Sequence, residues 1–185
     1  MAFPTSLSRR SVLRGLGALA LGVAGSPVGA FPERVAGTGI LELTNTHTGE
    51  LLQVAHDAQL SVDARGLPKL QHLLRDHRNG QEHMIDCGLY AQLLVLARDA
   101  RVDARYEIIS GYRSPATNEL LHRMSHGVAT RSLHLQGRAL DVRLRGVDCL
   151  RLAELARVRQ AGGVGYYARS AFVHIDTGDV RTWNG

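Results

Sequence analysis

The sequence predicts an α+β domain, a small antiparallel sheet with flanking helices. Two patterns carry that prediction: short alternating apolar runs are mixed with leucines at helical spacing, and no regular strand–helix–strand period links them. Bulk composition agrees, because 44% hydrophobic and 21% charged residues suit a packed globular chain. A length of 185 residues fits one domain and a short appendage. With aromatics at only 5%, the core must rest on Leu, Val and Ala.

The appendage is N-terminal. Ser8-Arg9-Arg10-Ser11-Val12-Leu13-Arg14 precedes a Gly/Ala/Leu-rich stretch that ends at Val28-Gly29-Ala30. That order is a charged n-region, an h-region and a small-residue cleavage site. It resembles a twin-arginine export signal, Ser/Thr-Arg-Arg-x-Phe-Leu-Lys, with departures at Val12 and Arg14. The alternative is a retained N-terminal anchor, but a membrane span needs about 20 apolar residues, and this run is shorter and dense in glycine. Residues 1–30 are therefore read as an export signal, 31–39 as a Pro/Gly-containing linker and 40–185 as the folded domain. The expected destination is the periplasm or outer envelope.

Within the domain, Ile40–Leu43 and Leu51–Val54 flank Thr48-Gly49 and read as a β-hairpin. Pro68 opens a short helix carrying Leu70, Leu73 and Leu74, with Asn79-Gly80 as the stop. Asp86 caps a longer helix in which Leu89, Leu93 and Leu96 recur up to about Ala100. Tyr106–Ser110 reads as a strand and Gly111-Tyr112-Arg113 as a turn. Ser114-Pro115 then starts a helix with Leu120, Leu121 and Met124. Ala139–Leu144 alternates as a strand, and Asp148 caps a helix with Leu152, Leu155 and Ala156. Gly162-Gly163 breaks the chain before a final strand, Phe172–Asp176.

Charge excludes one class of partner. The formal charge of +5 falls to +2 without residues 1–30, which carry Arg9, Arg10 and Arg14 and no acidic residue. A mildly basic domain lacks the concentrated Lys/Arg stripe of nucleic-acid binders, although it suits an anionic polymer. Cys87 and Cys149 are the only cysteines and have no zinc-ribbon spacing. An oxidising compartment permits a disulfide between them; the plainer expectation is two buried thiols inside helices.

The chemistry concentrates in Ser132-Leu133-His134-Leu135-Gln136-Gly137-Arg138-Ala139-Leu140-Asp141. Gly137 permits a sharp bend, so His134 can fold back towards the strand that bears Asp141. Strand alternation turns Leu140, Val142 and Leu144 one way and Ala139, Asp141 and Arg143 the other. The same rule puts Phe172, His174 and Asp176 on one face of the last strand. Zinc favours imidazole nitrogen and carboxylate oxygen, and a catalytic zinc keeps three protein ligands and an open position. His134, Asp141 and His174 meet that description, but nine histidines make the spacing alone weak evidence. Most histidines are hydrogen-bonded surface or core residues.

Longer motifs give the reading its weight. LELTNTHTGE at 41–50, ISGYRSPATN at 109–118, the 132–144 segment with its SxHxxGxAxD pattern, and GGVGYY at 162–167 running into FVHIDTG at 172–178 resemble the murein endopeptidase K family of exported proteins. That family is similar to the M15-type peptidases, so the resemblance implies an M15 peptidase/hedgehog-like site in which His134, Asp141 and His174 bind Zn2+. One departure stands out: many M15-type enzymes carry an acidic base three residues before the last histidine, and here that position is Ala171. Asp176 then has two roles open to it, general base or orientation of a ligand imidazole. Arg113, in the loop that the resemblance places at the cleft, suits a substrate carboxylate or a developing oxyanion; the alternative is a loop-stabilising salt bridge. His126, Ser132 and Gln136 are weaker cleft candidates. His47, His56, His72, His77 and His83 are read as bystanders, His47 least securely because it lies in a family motif.

The expected activity is therefore zinc-dependent hydrolysis of peptidoglycan cross-links by an exported protein with no nucleic-acid partner and no need to be more than a monomer. The alternatives are a D-Ala carboxypeptidase of the same fold and a zinc-containing module that binds murein without cutting it.

Overall fold

The computed structural model describes residues 39–124 and 130–185. The expected export signal, nearly all of the linker and His126 lie outside the described residues; Gly39, the linker's last residue, opens the first strand. No helix among the described residues is long and apolar enough to cross a membrane.

Strands β1 (Gly39–Asn45) and β2 (Leu51–His56) form the expected antiparallel hairpin. Its turn is held by Asn45, whose Oδ1 accepts from the backbone N–H groups of His47 and Thr48. Helix α1 (Leu67–Leu73) has Pro68 in its first turn and ends at Leu74, well before Asn79-Gly80. Beyond it, the buried Asp76 carboxylate accepts from the Arg78 N–H and turns the chain. A side chain that competes for backbone N–H groups favours turns over helix.

Asp86 caps α2 (Cys87–Ala100) by accepting from Gly88 N, and Arg101 ends it in the left-handed region at φ 59°. Strand β3 (Arg105–Ser110) leads through the GYR turn to α3 (Pro115–Met124), where Ser114 Oγ accepts from Thr117 N. This helix corrects the leucine-based expectation. It buries Thr117 and Asn118 and leaves Leu120 and Met124 exposed. After a 3₁₀ turn at Leu133–Gln136 come β4 (Ala139–Leu144) and α4 (Cys149–Arg159), the latter capped by Asp148. The chain ends in β5 (Gly163–Tyr167), β6 (Phe172–Asp176) and β7 (Arg181–Asn184).

The α+β class holds, but the sheet is neither small nor wholly antiparallel. Among the described residues seven strands lie in the order β2-β1-β3-β4-β6-β5-β7, with β1–β3 and β5–β7 parallel. Phe172–Asp176 is not the last strand, because β7 follows and pairs with β5. One face packs against α2 and α4 through Leu140, Val142, Val173 and Ile175, none of which is exposed. Burying a side chain of that kind contributes about 1.5–3 kcal/mol. The opposite face is left for the site.

The cysteines do not match the expectation of buried thiols. Cys87 and Cys149 are the first residues of α2 and α4, the former exposed and the latter half-buried, and both are free.

Candidate metal centre

Sheet register assembles the site. Asp141 on β4 pairs with His174 on β6, His174 with Gly165 on β5, and Gly165 with Trp183 on β7. Residues paired across strands share a face, so these four form one row over the sheet. On its other side Asp141 pairs with Ser110, next to a register shift in β3 that leads into the Gly111–Arg113 turn.

His134 reaches this row from the 3₁₀ turn, which Gly137 closes at φ 64°. A Cβ at Gly137 would lie 2.1 Å from Met84 O, so both the angle and the space require glycine. The Arg113 N–H donates to His134 O at 3.1 Å, and His134 Nδ1 lies 2.7 Å from Gly111 O. A carbonyl only accepts, so Nδ1 carries the proton and Nε2 is left as a lone-pair donor facing Asp141 and His174.

Three donor atoms converge. His174 Nδ1 is 2.9 Å from Asp141 Oδ1, and His134 Nε2 is 3.3 Å from each of those atoms. A tetrahedral centre with bonds of about 2.0–2.1 Å separates its ligand atoms by about 3.3 Å. The donor set and its spacing therefore fit a zinc-like cation with one position left over. Among the described residues this is the group of three able to hold a metal ion.

The two imidazoles of the trio are held from behind, His134 by Gly111 O and His174 by Asp176. His174 Nε2 is 3.1 Å from Asp176 Oδ2, and Asp176 has no exposed surface. The same carboxylate accepts from Gly163 N at 2.8 Å, Gly178 N at 2.9 Å and Arg181 Nη2 at 2.6 Å. Burial alone would push Asp176 up, but these donors outweigh it and hold the carboxyl well below the usual range. Burial likewise works against charge on His174, yet hydrogen bonds to Asp141 and Asp176 raise it to about 9. For Asp141, burial is opposed by the charge and hydrogen bonds of His134 and His174, and the carboxyl sits far below its ordinary value.

Arg113 reaches the edge of the centre, with Nη2 3.9 Å from Asp141 Oδ2 and Nη1 3.4 Å from Asn118 Oδ1. Its Nε is buried with no hydrogen-bond partner among the described residues. Burial pulls the guanidinium below its ordinary value, while nearby Asp141 acts the other way. Ser132 precedes the 3₁₀ turn without a side-chain cap, and Gln136 is exposed beside Arg138. The histidines read as bystanders stay out of the trio. His47 stacks on His77 with centroids 3.9 Å apart, His72 lies against Glu50 and Glu82, His56 meets Asp57 O, and His83 stacks on Tyr112. Ala171 offers no carboxylate and stands in a left-handed turn at φ 50°.

Sequence reasoning missed the far wall. Trp183 tilts against His174 at 5.1 Å, over a Gly165 whose Cβ would lie 2.5 Å from the indole. Gly163 makes the same room for Asp176 and Arg181. The available signal was Gly163 and Gly165 alternating with Val164 and Tyr166, a strand pattern with one side bare.

A family profile described as peptidoglycan L,D-endopeptidase MepK matches residues 33–183. The peptidoglycan L,D-endopeptidase MepK of Escherichia coli K12 is 41% identical over 182 residues, covering 95% of this chain and 97% of that protein. The probable peptidoglycan L,D-endopeptidase MepK of Haemophilus influenzae is 40% identical over 147 residues, 79% of each. No solved structure matches.

Proposed function

Because the chain belongs to the peptidoglycan L,D-endopeptidase MepK family, we propose that it is a zinc-dependent hydrolase of peptide cross-links in peptidoglycan. The observation that supports this reading most is the convergence of His134 Nε2, Asp141 Oδ1 and His174 Nδ1 within hydrogen-bond distance of one another. These three residues would hold the metal.

Zinc bound there supplies a Lewis acid for the scissile carbonyl and lowers the pKa of water. Asp176, whose two oxygens already accept from His174, Arg181, Gly163 and Gly178, serves to orient His174 rather than to take a proton from the attacking water. Arg113 binds the peptide through a carboxylate or the developing oxyanion. The twin-arginine-like segment carries the protein across the inner membrane to its substrate in the periplasm.

The test is digestion of purified sacculi by zinc-loaded protein, with and without chelator, followed by chromatography of the muropeptides. Loss of cross-linked dimers, abolished by chelator, is expected. Shortened monomers with intact dimers would indicate a carboxypeptidase instead. An unchanged profile would refute hydrolysis, and co-sedimentation of that inactive protein with sacculi would favour a binding module.

A further inference from the structure

Tyr167 lies two residues beyond Gly165 on β5, so its side chain shares the face of the sheet that carries His174. Its ring stacks on Phe172 at 4.5 Å, and its hydroxyl oxygen is 3.0 Å from Trp183 Nε1. An indole nitrogen only donates, so the phenol oxygen accepts there and its own O–H proton stays available for another acceptor. Trp183 is itself fixed by Gly165 beneath it, by His174 beside it and by the Arg181 guanidinium 5.2 Å from its ring centre. Both aromatic residues are half-buried, and the hydroxyl is linked to the metal centre through Trp183, whose indole lies against His174. The face that carries the metal centre thus also carries a phenolic O–H on the β5 side, while a guanidinium approaches Asp141 from the β3–α3 side.

We propose that Tyr167 is a catalytic oxyanion donor, and that Trp183 is a positioning residue that aims it. The inference rests on the endopeptidase reading. As a water oxygen bonds to the scissile carbonyl carbon, the C=O electron pair moves onto the carbonyl oxygen, and the Tyr167 hydroxyl donates a hydrogen bond to it. The C=O bond then re-forms, the C–N bond breaks, and a proton from the attacking water leaves with the amine. Tyr167 keeps its own proton throughout.

The test compares zinc-loaded parent, Tyr167→Phe and Trp183→Phe on cross-linked muropeptide dimers. Calorimetry with a phosphinate pseudodipeptide, whose tetrahedral anion mimics the intermediate, supplies a readout independent of turnover. Removing one oxyanion donor should lower kcat about 100-fold or more in Tyr167→Phe with KM changed by less than about 3-fold, and should weaken phosphinate binding in parallel. Trp183→Phe, which keeps the hydroxyl but loses its guide, should show a smaller loss in kcat of the same kind. Metal content and Tm of Tyr167→Phe should match the parent, and a fall in either would assign the residue a structural role and overturn the proposal. So would a kcat or a phosphinate affinity within about 3-fold of the parent, or a parent that binds no phosphinate. A parent inert towards peptidoglycan that binds phosphinate through Tyr167 would sink the endopeptidase reading and leave the donor role standing.

Discussion

His174 is held between two carboxylates, with Nδ1 2.9 Å from Asp141 Oδ1 and Nε2 3.1 Å from Asp176 Oδ2. Only one of these contacts lies on the metal side of the ring. Asp141 is itself a candidate ligand, whereas Asp176, on the proposed reading, fixes the tautomer that frees Nδ1 for coordination. Asp176→Asn keeps the shape but replaces one acceptor oxygen with a donor, which must face either His174 and Arg181 or the N–H groups of Gly163 and Gly178. Zinc affinity should fall about 10–100-fold, read by competition with a chromophoric chelator. Unchanged affinity would remove the orienting role.

Metal should stabilise the fold, because the three ligands come from separate segments that only the folded chain brings together. Zinc at 100 times its Kd contributes about 2.7 kcal/mol, or a rise of about 5–10 °C in Tm for a domain of this size. Differential scanning calorimetry with zinc and then with chelator reads the shift directly. His174→Ala should abolish it.

Gly137 has both a positive φ and a crowded Cβ position, whereas Gly49 has a φ of 73° with nothing within 4 Å. Gly49→Ala should therefore cost about 1–2 kcal/mol, the strain of the left-handed backbone alone. Gly137→Ala adds a clash with the Met84 carbonyl and should cost about 2–5 kcal/mol in urea denaturation. It should also weaken zinc binding, since the displaced turn carries His134. Equal costs at the two positions would contradict the packing around Gly137.

Acid should loosen the loop that carries Arg113. The buried Asp76 carboxylate accepts from Ser114 N at 2.9 Å and Ser114 Oγ at 2.7 Å. Burial raises its pKa, but the Thr117, Ser114 and Arg78 donors prevail and lower it below 3.8. A carboxyl depressed in the fold binds fewer protons than it does in the unfolded chain. Its contribution is thus complete above the unfolded value of about 3.9 and is lost as pH falls through the folded one. Chemical denaturation between about pH 5 and pH 2 should show this loss, and Asp76→Asn should flatten it while costing about 1.5–3 kcal/mol at neutral pH.

Local patterns in the sequence pointed to the two strands that carry Asp141 and His174 and to their alternating faces, because alternation is a property of each strand by itself. The caps at Asp86, Ser114 and Asp148 were legible for the same reason. What escaped was set by contacts distant in sequence. The parallel pairing of β1 with β3 and of β5 with β7 leaves no mark on any one segment, so the sheet looked smaller and wholly antiparallel. Gly163-Val164-Gly165 has weak strand propensity and Arg181–Asn184 is mostly exposed, so neither β5 nor β7 stood out. With them went Tyr167 and Trp183. Asp176 was visible as a neighbour of His174, but its contacts with Gly163 across the sheet and with Arg181 beyond the turn at Gly178 depend on how β5, β6 and β7 come together.

The glycines of β5 give the strand a bare side. Hydrophobic cores usually tolerate exchange by chemical kind, so that one apolar residue replaces another. Along Gly163–Tyr167 size should govern instead, at every second position. A saturation library selected for folding would reject serine and alanine alike at Gly163 and Gly165, where a Cβ would meet Asp176 Oδ2 and the indole of Trp183, each at 2.5 Å. The intervening Val164 should accept its apolar relatives. Such a map would display the depth of the cleft floor as a two-residue rhythm, without any measurement of activity.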